Sequence, residues 1–348
     1  MKRTLAPAAV LCLASLLPRS IPAQQTASTP PSLPKDPVAL LQLAWQQNGL
    51  HGADLQPWHV HATWTDVDDK GQATSTGTWE EWWAGENKYK IRYISGSFQQ
   101  SLFVTDHGAF ATGSADAPNW EFELIQDAVI SPVPDPQRLL KSSWHENRQK
   151  RGVVEITCAR QFALPPLPSL GASDSGDQYC FADELPVLRV YVRDDEEIST
   201  DSLIRFQGRY LARKIRILQA GLPETDIALD EIERMPSVAD ADFAPSPGAM
   251  PATAVLIPRS AFVDKRASGK QPEYPDEAKA RRMSGIVLLE VTIRADGSVT
   301  DVHALTGPPL LQQSAVKAVS TWRYQPYQIA GTPVGVRTRI RIIYRLSG

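Results

Sequence analysis

The sequence predicts an α+β fold, with an N-terminal antiparallel β domain followed by a small α+β domain of two helices on a three-stranded antiparallel sheet. Three observations predict it. Apolar and polar residues alternate with a period of two along most of residues 58–234. Proline, alanine and glycine then interrupt the pattern between 236 and 255. Beyond that break, short helical and strand patterns alternate up to residue 345.

The predicted organisation has five parts. Residues 1–23 are predicted to be a signal peptide, 24–35 a disordered leader, 36–245 the antiparallel β domain, 246–257 a linker and 258–348 the α+β domain. A chain of 348 residues is long enough to form a hydrophobic core in each of two domains.

The first residues have the pattern of a cleaved secretory signal. Lys2 and Arg3 precede an apolar run from Leu5 to Leu17, and Ala23 is a small residue where signal peptidase would cut. The run is shorter than the roughly 20 residues that a membrane-spanning helix needs. We therefore expect export rather than anchoring in the inner membrane.

The composition and the motif search favour a protein that is not an enzyme. The chain is 42% hydrophobic with a formal net charge of -3, which does not indicate binding to nucleic acid. No nucleotide-binding, hydrolase or metalloprotease motif occurs in a fitting context, so we predict no catalytic residues and no cofactor. His59 and His61 share one strand face at a spacing that could suit zinc, but no third ligand is evident. We expect a solvated strand face there and no metal.

Cys158 and Cys180 remain after removal of the signal, and an even pair in an oxidising compartment predicts a disulfide.

The β domain is predicted to open with a helix. Asp36 is expected to cap it, with Pro37 in the first turn and Gly49 at its end. Most of the remaining domain is predicted as strands, including WEFELI at 120–125, with a second helix near 136–144. The acidic residues 194–197 are expected to form a surface turn.

Three tryptophans lie in one predicted strand of this domain. In WEEWW, Trp79 and Trp83 share one face while Trp82 lies on the other, so both faces carry an indole. Aromatic residues favour strands, and ordinary sheet core is one interpretation. The other is an apolar ligand groove formed by Trp79, Trp82 and Trp83.

The last domain shows clearer periodicity. Helices are predicted at 275–282 and 310–322, and strands at 286–294, 299–305 and 334–344. Trp322 ends the apolar stripe of the second helix and is expected to fix that end of the helix on the sheet. In the final strand, one face is predicted to pack and the other to be cationic. The packing residues are Val334, Val336, Thr338, Ile340, Ile342 and Tyr344; the cationic face includes Arg337, Arg339, Arg341 and Arg345.

This domain resembles the C-terminal domain of the TonB family, the periplasmic energy transducers of Gram-negative bacteria. The motifs that carry the resemblance are Gln271-Pro272-Glu273-Tyr274-Pro275, Gly285, Asp296-Gly297, Trp322-Arg323-Tyr324-Gln325-Pro326 and Gly331-Thr332-Pro333.

The resemblance implies a periplasmic protein that binds an extended peptide of an outer-membrane transporter, or of another envelope protein, by β-augmentation. It places partner binding at Gln271, Pro272 and Tyr274 and along the final strand at Val334, Val336, Arg337, Arg339 and Arg341. The arginines have an alternative interpretation as protection of an edge strand against aggregation.

Two further functions stay open. The β domain faintly resembles the LolA family of lipoprotein carriers, which implies a half-barrel that holds a lipid or another apolar ligand. An anchored TonB energy transducer would instead require that the N-terminal segment is retained in the membrane.

Overall fold

The computed structural model describes residues 33–135, 143–151, 154–161, 177–182, 185–193, 196–219, 222, 224–257 and 265–346. The predicted signal peptide, most of the predicted leader and most of the predicted helix near 136–144 lie outside these residues. The described residues belong to one compact unit.

Four α-helices occur in the described part of the chain. They are α1 (Pro37–Gln47), α2 (Trp120–Ile130), α3 (Asp276–Ala280) and α4 (Pro309–Val319).

Most of the remaining described residues are in strands. The strands are β1 (Trp58–Val67), β2 (Ala73–Gly85), β3 (Lys88–Ser95), β4 (Phe98–Thr105), β5 (Gly108–Gly113), β6 (Trp144–Arg151), β7 (Val154–Gln161), β8 (Gln178–Ala182), β9 (Leu188–Arg193), β10 (Glu196–Phe206), β11 (Arg209–Gln219), β12 (Glu224–Arg234), β13 (Met250–Pro251), β14 (Val255–Leu256), β15 (Arg266–Ser268), β16 (Gly285–Ile293), β17 (Val299–Thr306), β18 (Arg323–Tyr324), β19 (Tyr327–Ile329), β20 (Thr332–Val334) and β21 (Val336–Tyr344).

The first sheet contains thirteen of these strands in the order β13-β5-β4-β3-β2-β1-β12-β11-β10-β9-β8-β7-β6. Every pairing in it is antiparallel, as expected for strands joined by short turns. Its inner face is strongly apolar: Trp58, Trp64 and Trp79 are almost completely buried. The prediction of an N-terminal antiparallel β region is confirmed.

Helix α1 begins and ends where the sequence predicts. The Asp36 carboxylate accepts a hydrogen bond from the Ala39 amide at 2.8 Å, and Pro37 occupies the first turn. After the helix, Gly49 adopts a φ of 83°, a conformation that glycine tolerates better than other residues. Leu40, Leu41 and Ala44 are buried in the core.

Helix α2 corrects the prediction that WEFELI is a strand. Asn119 precedes the helix in an extended conformation, and Glu121 and Glu123 lie in the first turn, where acidic side chains favour the helix dipole. The six letters alternate as a strand would, but buried Phe122, Ile125 and Val129 continue at helical spacing beyond them. The longer pattern decides the structure.

The predicted disulfide is present between Cys158 and Cys180. The two residues are directly opposite each other on the neighbouring strands β7 and β8.

The second sheet contains four strands in the order β14-β21-β16-β17. Strands β21, β16 and β17 form the predicted antiparallel core, and α4 packs on β16 and β17. Strand β14 comes from the predicted linker and pairs with β21 in parallel. The linker also contributes β13, which pairs with β5 of the first sheet. The predicted α+β fold is confirmed, with one strand more in the second sheet than expected.

Candidate functional site

The candidate site is the outer edge of β21, the side turned away from β16. The sequence predicts β21 as an edge strand, and the structure corrects this at its beginning, because β14 already pairs with Val336 and Arg337. The Val255 amide donates to the Gly335 carbonyl at 2.8 Å, and the Ile257 amide donates to the Arg337 carbonyl at 3.2 Å. Beyond Arg337, no described strand pairs with this side of β21.

Gly335 allows the close approach of the preceding segment. A Cβ atom at this position would lie 2.2 Å from the Thr253 carbonyl oxygen, which is far inside van der Waals contact. The absence of a side chain at Gly335 therefore permits the hydrogen bond that begins the β14–β21 pairing.

The cationic face of β21 lies against α2 and the first sheet, with Arg339 buried and Arg337 and Arg341 half-buried. The guanidinium of Arg339 lies 3.1 Å from a carboxylate oxygen of Glu123 on α2 and 4.0 Å from one of Glu196 on β10. It also donates to the Gln219 side-chain oxygen at 3.3 Å. Burial alone would lower the pKa of Arg339, but the negative charges of Glu123 and Glu196 outweigh this effect, so the pKa is raised. Arg339 is therefore an internal ion-pair partner.

The neighbouring arginines follow the same face. Arg337 donates to the Ala117 carbonyl at 2.9 Å, just before α2. Burial lowers the pKa of Arg341. Residues 194 and 195 of the predicted acidic turn lie outside the described residues, but Glu196 is corrected, since it begins β10 and is buried rather than exposed in a turn. At Arg337 and Arg339, the face that the sequence assigned to solvent or a partner is therefore an internal contact.

The opposite face of β21 packs as predicted. Val336, Thr338, Ile342 and Tyr344 are buried, and Ile340 is half-buried. Val334 is also buried but ends β20, because the predicted strand 334–344 is interrupted at Gly335.

The segment Gln271–Tyr274 lies near the last residues of β21. The Tyr274 ring makes an edge-to-face contact with Tyr344, with 5.5 Å between the ring centroids. The Tyr274 hydroxyl donates to the Met283 carbonyl, and Ser314 of α4 donates to the Glu273 carbonyl. Pro272 is half-buried and Gln271 is exposed. The structure thus brings the two predicted parts of the binding site together at one end of the strand.

Trp322 positions the segment that leads into Gln271. Its indole donates to the Lys270 carbonyl at 2.7 Å, and the Arg266 guanidinium lies 4.3 Å from the ring centroid. Gly269 packs directly against the Trp322 indole, because a Cβ atom at position 269 would lie 2.4 Å from the ring. The predicted anchor of the helix end therefore also holds residues 266–270.

The three tryptophans of β2 lie in different surroundings. Trp79 is completely buried, and Trp83 is half-buried and stacked on Trp58 with ring centroids 5.8 Å apart. Trp82 lies on the outer face, stacked on His59 at 4.8 Å with the Lys90 ammonium 4.0 Å from its centroid. Only Trp79 and Trp83 therefore share the inner face.

The inner face also holds an acid that the sequence analysis did not single out. Glu81 is buried between these tryptophans along β2, and Gln126 of α2 donates to it at 3.5 Å. Burial raises the pKa of Glu81 to about 8, although the Gln126 hydrogen bond lowers it. Its position on the same face as Trp79 and Trp83 was a signal available in the sequence.

The other residues that sequence reasoning missed are those that cover the site. Glu123 and Val255 lie far from β21 in sequence. The sequence predicted Glu123 in a strand and Val255 in the linker. The apolar run at 254–257 was the available signal, since such runs favour strands.

A scan against protein-family models finds a match in the C-terminal part of the chain. Residues 270–346 match the Gram-negative bacterial TonB protein C-terminal family. The predicted resemblance is confirmed for this TonB-like module, the name used below for residues 270–346. The TonB protein of Vibrio cholerae serotype O1 is 32% identical over 96 residues, which are 27% of this chain and 38% of that protein. The chain therefore spans well under half the length of that relative.

Two solved structures resemble different parts of the chain. The solution structure of the Pseudomonas aeruginosa TonB C-terminal domain is 26% identical and covers 24% of this chain and 87% of its own, with a TM-score of 0.22. The crystal structure of a LolA superfamily protein from Nitrosomonas europaea is 6% identical and covers 60% of this chain and 96% of its own, with a TM-score of 0.38.

Within the described ranges, no helix combines the length and the apolar character needed to cross a bilayer.

Proposed function

We propose that this chain is a non-catalytic periplasmic adaptor in outer-membrane transport. It binds an extended peptide of a TonB-dependent transporter, or of another envelope protein, by strand addition at the outer edge of β21. The observation that carries this proposal is the β14–β21 pairing, because it supports the capacity of this edge to accept an extended segment through backbone hydrogen bonds. The match of residues 270–346 to the TonB family supports the class of partner.

The last residues of β21 form the accessible part of the site. Ile343 and Leu346 are exposed apolar side chains at 39% and 38%, and Tyr274 contacts Tyr344 beside them. Exposed apolar residues next to an edge favour a partner strand whose side chains cover them. Val334, Val336 and the arginines act from inside the module by shaping β21, since they are buried or half-buried.

Site-specific photo-crosslinking in the native envelope tests this function. A photoreactive residue in place of Ile343 is expected to crosslink a TonB-dependent transporter through its periplasmic N-terminal segment, identified by mass spectrometry. The matched control carries the same residue in place of Lys317, which is exposed on α4. Equal crosslinking at both positions, or none to a transporter at position 343, would contradict the proposal.

A second candidate function is transport of an apolar ligand inside the first sheet. Among the described residues, the indole N–H groups of Trp58, Trp64 and Trp79 and the hydroxyl of Tyr93 are buried without a hydrogen-bond partner. Buried donors without acceptors are uncommon, and a ligand with ester or carboxyl oxygens would supply acceptors.

The inward and outward tryptophans of β2 provide the test of this candidate. Native mass spectrometry should detect a co-purified small molecule that Trp83→Ala releases and Trp82→Ala retains, because only Trp83 faces inward. Detection of the bare protein mass in the wild type would count against the carrier function.

A further inference from the structure

We infer that the inner face of the first sheet binds the ammonium head group of a cationic amphiphile, with Glu81 as its counter-ion and the surrounding aromatic rings as its walls. This inference rests on the second candidate function, the carrier of an apolar ligand, and names the class of that ligand. The Glu81 site is defined as Glu81 with four aromatic residues of β2 and β3: Trp79, Trp83, Tyr89 and Tyr93.

The register of the sheet places Glu81 at the centre of the four rings. Trp79 and Trp83 lie two residues before and after it on the same face of β2. On β3, Tyr93 is directly opposite Trp79. Tyr89 is directly opposite Trp83. Diagonal neighbours in a sheet are within reach of aromatic side chains, so Glu81 has a ring on each of four sides.

Glu81 is a buried acid without a cationic partner. It is 5% exposed, and no described lysine, arginine or histidine pairs with it. Among the described residues, its hydrogen bond comes from Gln126 of α2 at 3.5 Å, beyond the usual range of about 2.7–3.2 Å. The side-chain oxygen of Gln126 is itself buried without a partner. The Gln126 amide therefore occupies a position that a stronger donor can take.

A carboxylate among aromatic rings favours an ammonium ion. The negative face of a ring attracts a cation within about 6 Å of its centroid, most strongly where water is excluded. The outer face of the same strand shows this contact, since the Lys90 ammonium lies 4.0 Å from the Trp82 ring centroid. The inner face offers the same kind of rings together with a carboxyl group.

The surroundings of the site require an apolar remainder of the ligand. Val60 and Ile91 are directly opposite Glu81 on the two neighbouring strands, and both are buried. Trp83 and Tyr89 are half-buried, so the site reaches the surface at their end. A cationic amphiphile matches both the single acid and the apolar surface around it.

Without a bound cation, Glu81 keeps its proton. Burial raises its pKa to about 8, although the Gln126 hydrogen bond lowers it. Val60 and Gln126 do not titrate, and the Tyr89 and Tyr93 hydroxyls stay neutral because burial, and then the Glu81 charge, raise the pKa of each. A bound ammonium group favours the carboxylate, so the proton passes to solvent as the ligand enters. The site thus exchanges one monovalent cation for another and buries no additional charge.

Isothermal titration calorimetry of the full chain with octylammonium tests the inference, and octanol is the uncharged ligand of equal chain length. We expect octylammonium to bind more tightly than octanol. Glu81→Gln should weaken octylammonium binding at least about tenfold, the effect of losing one hydrogen bond between charged groups. Glu80→Gln is the matched control, since Glu80 lies on the outer face and pairs with His59. Equal octylammonium affinity in Glu81→Gln and the wild type, or tighter binding of octanol by the wild type, would overturn the inference.

If Glu81→Gln does not fold, proton release by the wild type decides. It is measured by titrations at about pH 6.5, below the Glu81 pKa of about 8, in buffers of different ionisation enthalpy. We expect release of about one proton for each octylammonium bound. Binding without proton release would overturn the inference.

Two sources of the ammonium group are distinguished by lysophosphatidylethanolamine, which has an acyl chain, and spermidine, which has none. Binding of the lipid that depends on Glu81 supports the inference. Binding of spermidine but not of the lipid would overturn it.

The carrier function and the inference fail separately. A co-purified molecule that lacks an amine and that Trp83→Ala releases would keep the carrier function and overturn the inference. Octylammonium binding that depends on Glu81, in a protein that carries no molecule from the envelope, would do the reverse.

Discussion

Arg339 is a buried cation whose charge is balanced by carboxylates of α2 and of the first sheet. Its guanidinium contacts Glu123 and Glu196, and all three side chains are almost fully buried. Removal of water from such groups is costly, so the pair is stable only because each charge has a close partner. Arg339, which was predicted from the sequence to bind a partner, thus connects the TonB-like module to the first sheet.

Arg339→Met is expected to destabilise the protein by about 3–5 kcal/mol, because Glu123 and Glu196 would stay buried without their counter-ion. Urea unfolding measures the change. Arg323→Met is the control: Arg323 is 60% exposed and 4.0 Å from Asp296, and surface pairs contribute at most about 1 kcal/mol. Equal effects of the two substitutions would show that Arg339 is not held in a buried pair.

Glu81 should make stability depend on pH. Burial raises the pKa of this carboxyl from 4.5 to about 8, so in that window the native state keeps a proton that the unfolded state has lost. Stability should therefore be highest below the unfolded pKa and fall as pH rises towards about 8, by at most about 1.4 kcal/mol per pH unit.

Glu81→Gln removes this titration, and comparison of the variant with the wild type isolates it from other groups. The stability of the variant relative to the wild type should increase from about pH 5 to about pH 8 in urea titrations. A constant difference between the two proteins across this range would contradict the assigned protonation state.

At the scale of elements, the TonB-like module was predicted from sequence with small errors. Its final strand alternates, its turn contains Asp296-Gly297 and its second helix has a continuous apolar stripe, so these local signals agree with each other. Helix α2 and strand β14 were missed although each had a local signal: the helical spacing of Phe122, Ile125 and Val129, and the apolar run at 254–257. The sequence could not show their contacts with distant residues, which join Glu123 to Arg339 and Val255 to Gly335.

Trp322 connects α4 to the segment before Gln271, and its substitutions should separate packing from hydrogen bonding. Trp322→Ala is expected to cost about 3–5 kcal/mol, since it empties a buried volume. Trp322→Phe keeps most of the ring and loses mainly the hydrogen bond to Lys270, which contributes about 1 kcal/mol. Chemical denaturation of both variants tests the order. A larger loss for Phe than for Ala would contradict the role of the indole as a packed anchor.

At the scale of the whole molecule, the two sheets share residues 250–257. Strand β13 pairs with β5 of the first sheet, and β14 pairs with β21 of the second. Together with the Arg339 ion pair, this segment connects the candidate edge to the N-terminal sheet.

The most direct test of the account is residue-resolved amide hydrogen exchange of the full chain with a synthetic peptide from the periplasmic N-terminal segment of a TonB-dependent transporter of the same cells. The account predicts slower exchange at the backbone amides of Arg339 and Ile343, which point to the outer edge of β21. Protection along β17 instead, or no change at the β21 edge with saturating peptide, would contradict it.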